Sequence, residues 1–326
     1  FLAPATLKKN IETISIKDSN KRILAENIIS SINVPPFNNS AVDGYAVISE
    51  DIIQNKRFKI SVKIVAGDDN KVTLNKNEAA RIFTGARIPI NADTIIMQEN
   101  ASEESGFVSF LKIPKKNENY RIAGEDINKG QLVLEKGTIL KTQNQSLLAS
   151  VGLNKIKVYK KLRVGFYTIG DELVEPKTNL KGSEINNSNS LGLLSLIEQS
   201  GFKAKDFGRL VDNPHHIEDE FGTVNYLNNC DVLITTGGSS VGEEDHIISV
   251  LKNIGILIFW KITIKPGRPL GFGFINDRPI ICLPGNPVSV FLLFSMLIKP
   301  FLFRIAGAKW NEPKSIPAKI NFSMKK

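Results

Sequence analysis

Apolar and polar positions alternate in two rhythms along this chain, and the rhythm changes near residue 161. In residues 6–30, apolar residues at Leu7, Ile11, Ile14, Ile23, Leu24 and Ile28 fall near helical spacing and predict a helix, stopped by Pro35-Pro36. Residues 35–123 carry short apolar runs (YAVI, FKISVKIV, TIIMQ, FVSFLKI) between clusters of Gly, Pro, Asn and Asp. That pattern predicts strands joined by tight turns. Residues 142–152 predict a helix closed by Gly152.

From residue 161 strands and helices take turns. LRVGFYTIG predicts a strand, then a helix over 188–200 closed by Gly201, a strand at KDFGRLV, a helix over 214–228 and a strand at CDVLITTGG. A helix over 246–254, strands at ILIFWKITIK, LGFGFI and PIICLPG, and a helix from 287 to about 305 follow. This alternation predicts a doubly wound, largely parallel sheet with helices on both faces. In such sheets ligands bind beyond the carboxyl ends of the strands. The chain's 326 residues exceed one ordinary core and predict two or three domains.

Composition narrows the function classes. The net charge of +9 favours anionic partners, but no block of five basic residues occurs and no basic stripe carries aromatics, so nucleic acid is not expected. The longest greasy run, residues 290–298, is shorter than the roughly 20 residues a membrane span needs. No apolar leader segment opens the sequence, and a membrane partner is not expected. The two cysteines, Cys230 and Cys282, sit in apolar runs and read as small core hydrophobes in a reducing, cytoplasmic compartment. Without a CxxC, a zinc site is not expected.

The candidate chemistry lies in loops leaving strands. In TTGGSSVGEEDH, residues 235–246, Gly237-Gly238 allows a tight turn whose N–H groups approach an anion. Glu243, Glu244 and Asp245 follow, as if a hard cation bridged them to phosphate. A plain strand-to-helix turn with an acidic start fits the same spacing. In KITIKPGRP, residues 261–269, a continuing strand would put Lys261, Thr263 and Lys265 on one face, the lysines roughly 13 Å apart. Arg268 adds a fork suited to phosphate. A solvated edge strand fits equally. Pro284-Gly285-Asn286-Pro287 reads as a turn or a ligand loop with Pro287 opening a helix, and TIGDELVEP adds Asp171 and Glu172 in the same setting. PPFNNSAVDGYAV with Asp43, IFTGARIP with Thr84 and Gly85, and NYRIAGEDI with Arg121 and Asp126 each read alone as hairpin chemistry.

Taken in order, these seven segments resemble the MoeA-type molybdopterin molybdenumtransferases, which include the E domain of gephyrin and plant Cnx1, over nearly the whole chain. The resemblance implies a multidomain α/β fold. Residues 161–306 would form a doubly wound domain like the MogA adenylyltransferases, 31–123 a protruding β-rich domain, and 1–30 with 124–160 a discontinuous linking domain. Residues 307–326 would begin a C-terminal β domain, expected to be truncated. The implied reaction inserts molybdate into adenylylated molybdopterin and releases AMP, assisted by Mg²⁺ or another divalent cation. The implied partners are a second copy of the chain, its α/β domain facing the other's β-rich domain, and an upstream MogA-type adenylyltransferase.

The resemblance also implies catalytic roles for Asp43, Thr84, Glu172, Asp212, Asp245, Lys261 and Lys265, with Asp245 and Glu172 on the metal. Arg121, Asp126, Gly237, Gly238, Ser239, Arg268, Pro284, Gly285, Asn286 and Pro287 would bind substrate. The chain departs from the family pattern at Asn38 (usually Asp), Val42 (usually Met) and Arg87 (often Pro). Two competing readings remain: a MogA-like adenylyltransferase, which would lack the 31–123 insertion, and a non-catalytic scaffold like the gephyrin E domain.

Overall fold

The short apolar runs before residue 111 gather into one mixed sheet in the computed structural model, which describes residues 9–54, 56–69, 71–222, 229–238, 246–310, 313–319 and 321–322. Its strands are β1 (Gly44–Val47), β2 (Arg57–Ile64), β3 (Glu78–Ile82), β4 (Thr94–Met97), β5 (Ala101–Glu104) and β6 (Phe107–Phe110), in the order β4-β1-β3-β2-β6-β5. Only β2 and β3 run parallel. Successive side chains feed opposite faces. Ala46, Ala80, Ile82 and Ile95 fill one core with Ile64 and Leu74, while Tyr45, Val47, Ala79 and Ile96 fill the other with Phe58, Val108 and Phe110. This sheet belongs to one of two units, residues 27–135 with 146–154; the second contains 1–26, 136–145 and 155–326.

The second unit holds the sheet expected after residue 161. Strands β7 (Arg163–Ile169), β8 (Lys203–Leu210), β9 (Val232–Gly237), β10 (Ile256–Trp260), β11 (Gly271–Ile275) and β12 (Arg278–Leu283) lie in the order β8-β7-β9-β12-β11-β10. The first four are parallel, and β11 pairs antiparallel with both its neighbours. Among the described residues the α-helices are α1 (Thr142–Ser150), which spans the boundary between the units at residue 145, and, in the second unit, α2 (Ser188–Gln199), α3 (Pro214–Gly222), α4 (His246–Ile254) and α5 (Pro287–Ile305). One face of the sheet buries Phe166, Ile234 and Ile281 under Leu193 and Ile197 of α2 and Leu293, Phe294 and Phe301 of α5. The other buries Tyr167, Leu233 and Ile280 under Ile217 and Phe221 of α3 and Ile247 and Leu251 of α4. Each fully buried side chain of this size contributes about 1.5–3 kcal/mol, so both faces must be covered for the sheet to persist.

Helix α5 is long and apolar enough to cross a membrane by length and composition, at 19 residues and mean hydropathy 1.9, but half of it is buried inside this unit. It serves as a core helix, with a π-helical turn at Phe294–Ile298. Burial pushes the Cys230 thiol up to about 12, which suits the inert core role expected for it.

Two expectations are corrected. Residues 9–30 form no α-helix: Ile11–Ser15 is a strand paired antiparallel with Lys155–Tyr159, a single 3-10 turn follows at Ile16–Asp18, and Ile23 and Leu24 bridge to Ile139 and Val158. Ile11, Thr13 and Ile14 are β-branched, and pairing with a partner about 145 residues away overrides the local spacing. Strand β10 stops at Trp260 rather than running on to Lys265, because Lys261 adopts a left-handed backbone with φ 76°. The lysines therefore do not share a strand face, and the 13 Å spacing drawn from one does not apply.

Candidate active site

The parallel strands end level with one another. Leu210 of β8 pairs with Ile169 of β7, Ile169 with Gly237 of β9, and Thr236 with Leu283 of β12. Their carboxyl ends release four loops along one edge: Gly170-Asp171-Glu172, Val211-Asp212, Gly237-Gly238 and Pro284–Pro287. Strand β10 runs in the same direction as β12, and Trp260 lies level with Gly271 and so with Cys282. The segment carrying Lys261, Lys265 and Arg268 thus leaves the same edge, folded by Lys261 N–H to Leu270 O and Ile262 N–H to Arg268 O at 3.1 and 2.9 Å. Ile262 and Ile264 are partly buried against the core while Lys261, Thr263, Lys265 and Arg268 are exposed.

Close backbone approach builds the centre of this edge. Gly237 has φ 89°, and a Cβ there would lie 2.0 Å from the carbonyl oxygen of Ile169, so only glycine fits. Asp212 sits at the next strand end: its N–H donates to Asp171 Oδ1 at 3.3 Å, and its own Oδ1 lies 3.2 Å from His246 Nδ1. Arg209 donates to the carbonyls of Gly170 and Asp171 at 3.2 and 3.0 Å, fixing the loop that carries Glu172. Asn286 caps α5 through its Oδ1, which accepts from Val288 N–H at 2.9 Å, and Pro287 opens the helix. Ser239 and Asp245 lie outside the described residues, as do Glu243 and Glu244. Among the described residues no cluster of three His, Cys, Asp or Glu side chains is arranged for a metal. Asp171, Glu172 and Asp212 are hard oxygen donors of the kind Mg²⁺ takes.

The β-rich unit has its own constellation. The Thr84 N–H and hydroxyl both donate to Asp43 Oδ1, at 2.8 and 2.7 Å. These two bonds hold the Asp43 carboxyl below its ordinary range, the backbone bond contributing most. Gly44 permits this placement, since a Cβ there would lie 2.0 Å from Ile96 O. Arg121 Nη2 donates to Asp126 Oδ2 at 2.7 Å, and that partner raises the guanidinium's already high pKa. Residues 39–43 link the two pairs: Asn39 and Ser40 pair with Arg121 and Tyr120, and Ser40 O accepts from Gly85 N–H at 2.8 Å.

Asn38, the departure from the family pattern, uses both ends of its amide, donating to Tyr120 Oη at 2.6 Å and accepting from Ala123 N–H at 2.8 Å. Arg87 packs its guanidinium on the Phe37 ring, 4.5 Å from the centroid.

Three side chains at the α/β edge were not singled out from the sequence: Asn187, Asn189 and His246. Asn187 donates to Thr168 Oγ1 at 2.8 Å, and Asn189 to Thr236 Oγ1 and Gly285 O. For the two asparagines the available signal was the polar run Asn186–Ser190 at the start of a helix in an α/β rhythm.

Comparison with known proteins gives consistent results. A family model described as the MoeA N-terminal region (domain I and II) matches residues 2–152, and one described as a probable molybdopterin binding domain matches 165–304. A molybdopterin molybdenumtransferase from Haemophilus influenzae is 40% identical over 317 residues, covering 97% of this chain and 78% of that protein. One from a Nostoc species is 34% identical, covering 94% and 72%. A crystal structure of the molybdopterin biosynthesis moeA protein from Pyrococcus horikoshii matches with TM-score 0.77 at 31% identity, covering 92% of this chain and 75% of that one.

Proposed function

This chain belongs to the MoeA family of molybdopterin molybdenumtransferases, and we propose that its chemistry runs at the carboxyl edge of β7, β8, β9 and β12. The reaction is insertion of molybdate into adenylylated molybdopterin, giving molybdenum cofactor and releasing AMP. One observation carries the location: a glycine turn at Gly237-Gly238, the carboxylates of Asp171, Glu172 and Asp212, and the cation-bearing segment 261–268 all leave the same sheet edge. The MoeA N-terminal match over residues 2–152 supports the transferase reading over a lone adenylyltransferase.

The roles follow from charge and shape. Lys261, Lys265 and Arg268 neutralise the phosphate and molybdate oxygens. The turn Gly237-Gly238 and the loop Pro284–Pro287 offer backbone to the anion, and Ser239 binds substrate as the next residue in sequence. Glu172 and Asp245 would hold a divalent cation. When bound, the cation acts as a Lewis acid on the phosphoanhydride. Asp43, Thr84, Arg121 and Asp126 complete the site from the β-rich domain of a partner subunit in a two-fold homodimer. Residues 31–123 act as that protruding domain and 1–30 with 124–160 as its link. The setting is the cytoplasm, downstream of a MogA-type adenylyltransferase.

The test is direct. The purified protein is given adenylylated molybdopterin, Mg²⁺ and molybdate, and AMP is measured by chromatography. AMP release that requires molybdate is expected. Release that ignores molybdate, or no release from folded protein, would overturn the reading.

A further inference from the structure

The run Asn187-Ser188-Asn189 at the start of α2 has no part in the roles assigned above. Asn187 is buried and satisfied, its Oδ1 capping α2 at Ser190 N–H and its Nδ2 donating to Thr168 Oγ1. Asn189 donates from Nδ2 to Thr236 Oγ1 at 3.0 Å and to Gly285 O at 2.8 Å. Thr168 and Thr236 are register partners across β7 and β9. The Thr236 hydroxyl gives its single proton to Pro284 O at 2.9 Å, so its oxygen can only accept from Asn189. Gly285 O can only accept as well. Both contacts demand the NH₂ end of Asn189, which fixes the amide's orientation without a choice between flips. One side chain thus ties the end of β9, where Gly237-Gly238 leaves, to the loop after β12.

We propose that Asn189 is a positioning residue that holds these two loops in one rigid anion cradle. The inference rests on the reading that the substrate's anionic groups sit at this edge. Displacing a cradle by about 1 Å costs on the order of 100-fold in rate while leaving most binding contacts in place. The side-chain chemistry also predicts a pH signature. In Asn189→Asp, the ionised carboxylate faces two acceptors and can donate to neither. Once protonated, it can donate to one.

The experiment measures molybdate-dependent AMP release for the parent, Asn189→Ala, Asn189→Asp and Lys265→Ala from pH 5 to 8, with thermal melting of each. Asn189→Ala is expected to lower kcat roughly 10- to 100-fold with KM changed less than about threefold. Asn189→Asp is expected to lose as much at pH 8 and, relative to parent, to recover as the pH falls; Asn189→Ala should not recover. If Asn189→Ala is too unstable to assay, the pH recovery of Asn189→Asp decides alone. Parental kcat in both Asn189 variants, or an Asn189→Asp deficit equal at every pH, overturns the positioning role. Lys265→Ala separates the two failures. If it is impaired while both Asn189 variants are normal, only the positioning role falls. If all three are normal, the location of the site is wrong.

Discussion

The two units hold their candidate functional groups by different means. In the α/β unit the edge is made of backbone: Gly237 lies against Ile169 O, Arg209 grips the carbonyls of Gly170 and Asp171, and Asn189 grips Gly285 O. In the β-rich unit the groups hold one another as side-chain pairs, Thr84 on Asp43 and Asp126 on Arg121, at partly exposed positions. A backbone cradle tolerates no added atoms. An exposed side-chain pair can be substituted without loss of the fold, but where it includes an ionised group it responds to protonation and salt.

The contrast can be broken first at Gly237. Gly237→Ala combines a left-handed φ, which costs about 1–3 kcal/mol, with a Cβ 2.0 Å from Ile169 O. Loss of activity and a clearly lower urea midpoint are expected; a parental midpoint would mean that the backbone is less tightly built than described.

A mixing experiment addresses whether the two constellations serve one reaction. Asp43→Ala and Lys265→Ala are each expected to be inactive. If the groups meet across a two-fold dimer, random exchange of the two variants makes half the dimers mixed, and one site of each mixed dimer is intact. About a quarter of parental activity should return. With exchange verified by labelled subunits, a mixture that stays inactive would put both residues in one chain's site or make one of them structural.

Smaller effects sharpen the pH side of the comparison. Thr84 donors favour the ionised form of Asp43, so its folded pKa is depressed below the ordinary 3.8. A depressed carboxyl contributes stability above the unfolded pKa and loses it as pH falls through the folded value. Thr84→Val removes the hydroxyl donor and keeps the N–H, so the Asp43 titration should move up toward the ordinary value, as followed by carboxyl NMR. An unmoved titration would make the hydroxyl irrelevant. Asp126→Asn should have the smallest effect on stability, because the Arg121 pair is solvent-exposed. Melting should be unchanged while KM rises as Arg121 loses its shorter ion pair and keeps only Glu125; an unchanged KM would remove Arg121 from the substrate.

Much of the α/β unit was legible from residues alone. The strands at LRVGFYTIG, CDVLITTGG and PIICLPG and the helices after them formed as expected, because both faces of each central strand are buried and apolar runs of that length have few other uses. The shared strand face expected for Lys261, Thr263 and Lys265 was not formed, because the strand ends at Trp260. Gly237-Gly238 and the acidic residues Asp171, Glu172 and Asp212 fall at one sheet edge, where loops leaving parallel strands must lie.

Tertiary structure alone decided the rest, wherever the deciding partner was far away in sequence. Ile11–Ser15 became a strand because Lys155–Tyr159 was there to pair with it. Strand β10 stopped at Trp260 because its pairing with β11 ends at Gly271 and Lys261 turns the chain away. Asn189 became a tie between the end of β9 and the loop after β12 only when the fold brought the start of α2 beside them, putting Thr236 and Gly285 within hydrogen-bonding reach of one amide. Local pattern sets which face of a segment is greasy. The partner that satisfies its backbone and polar groups is chosen by the whole chain.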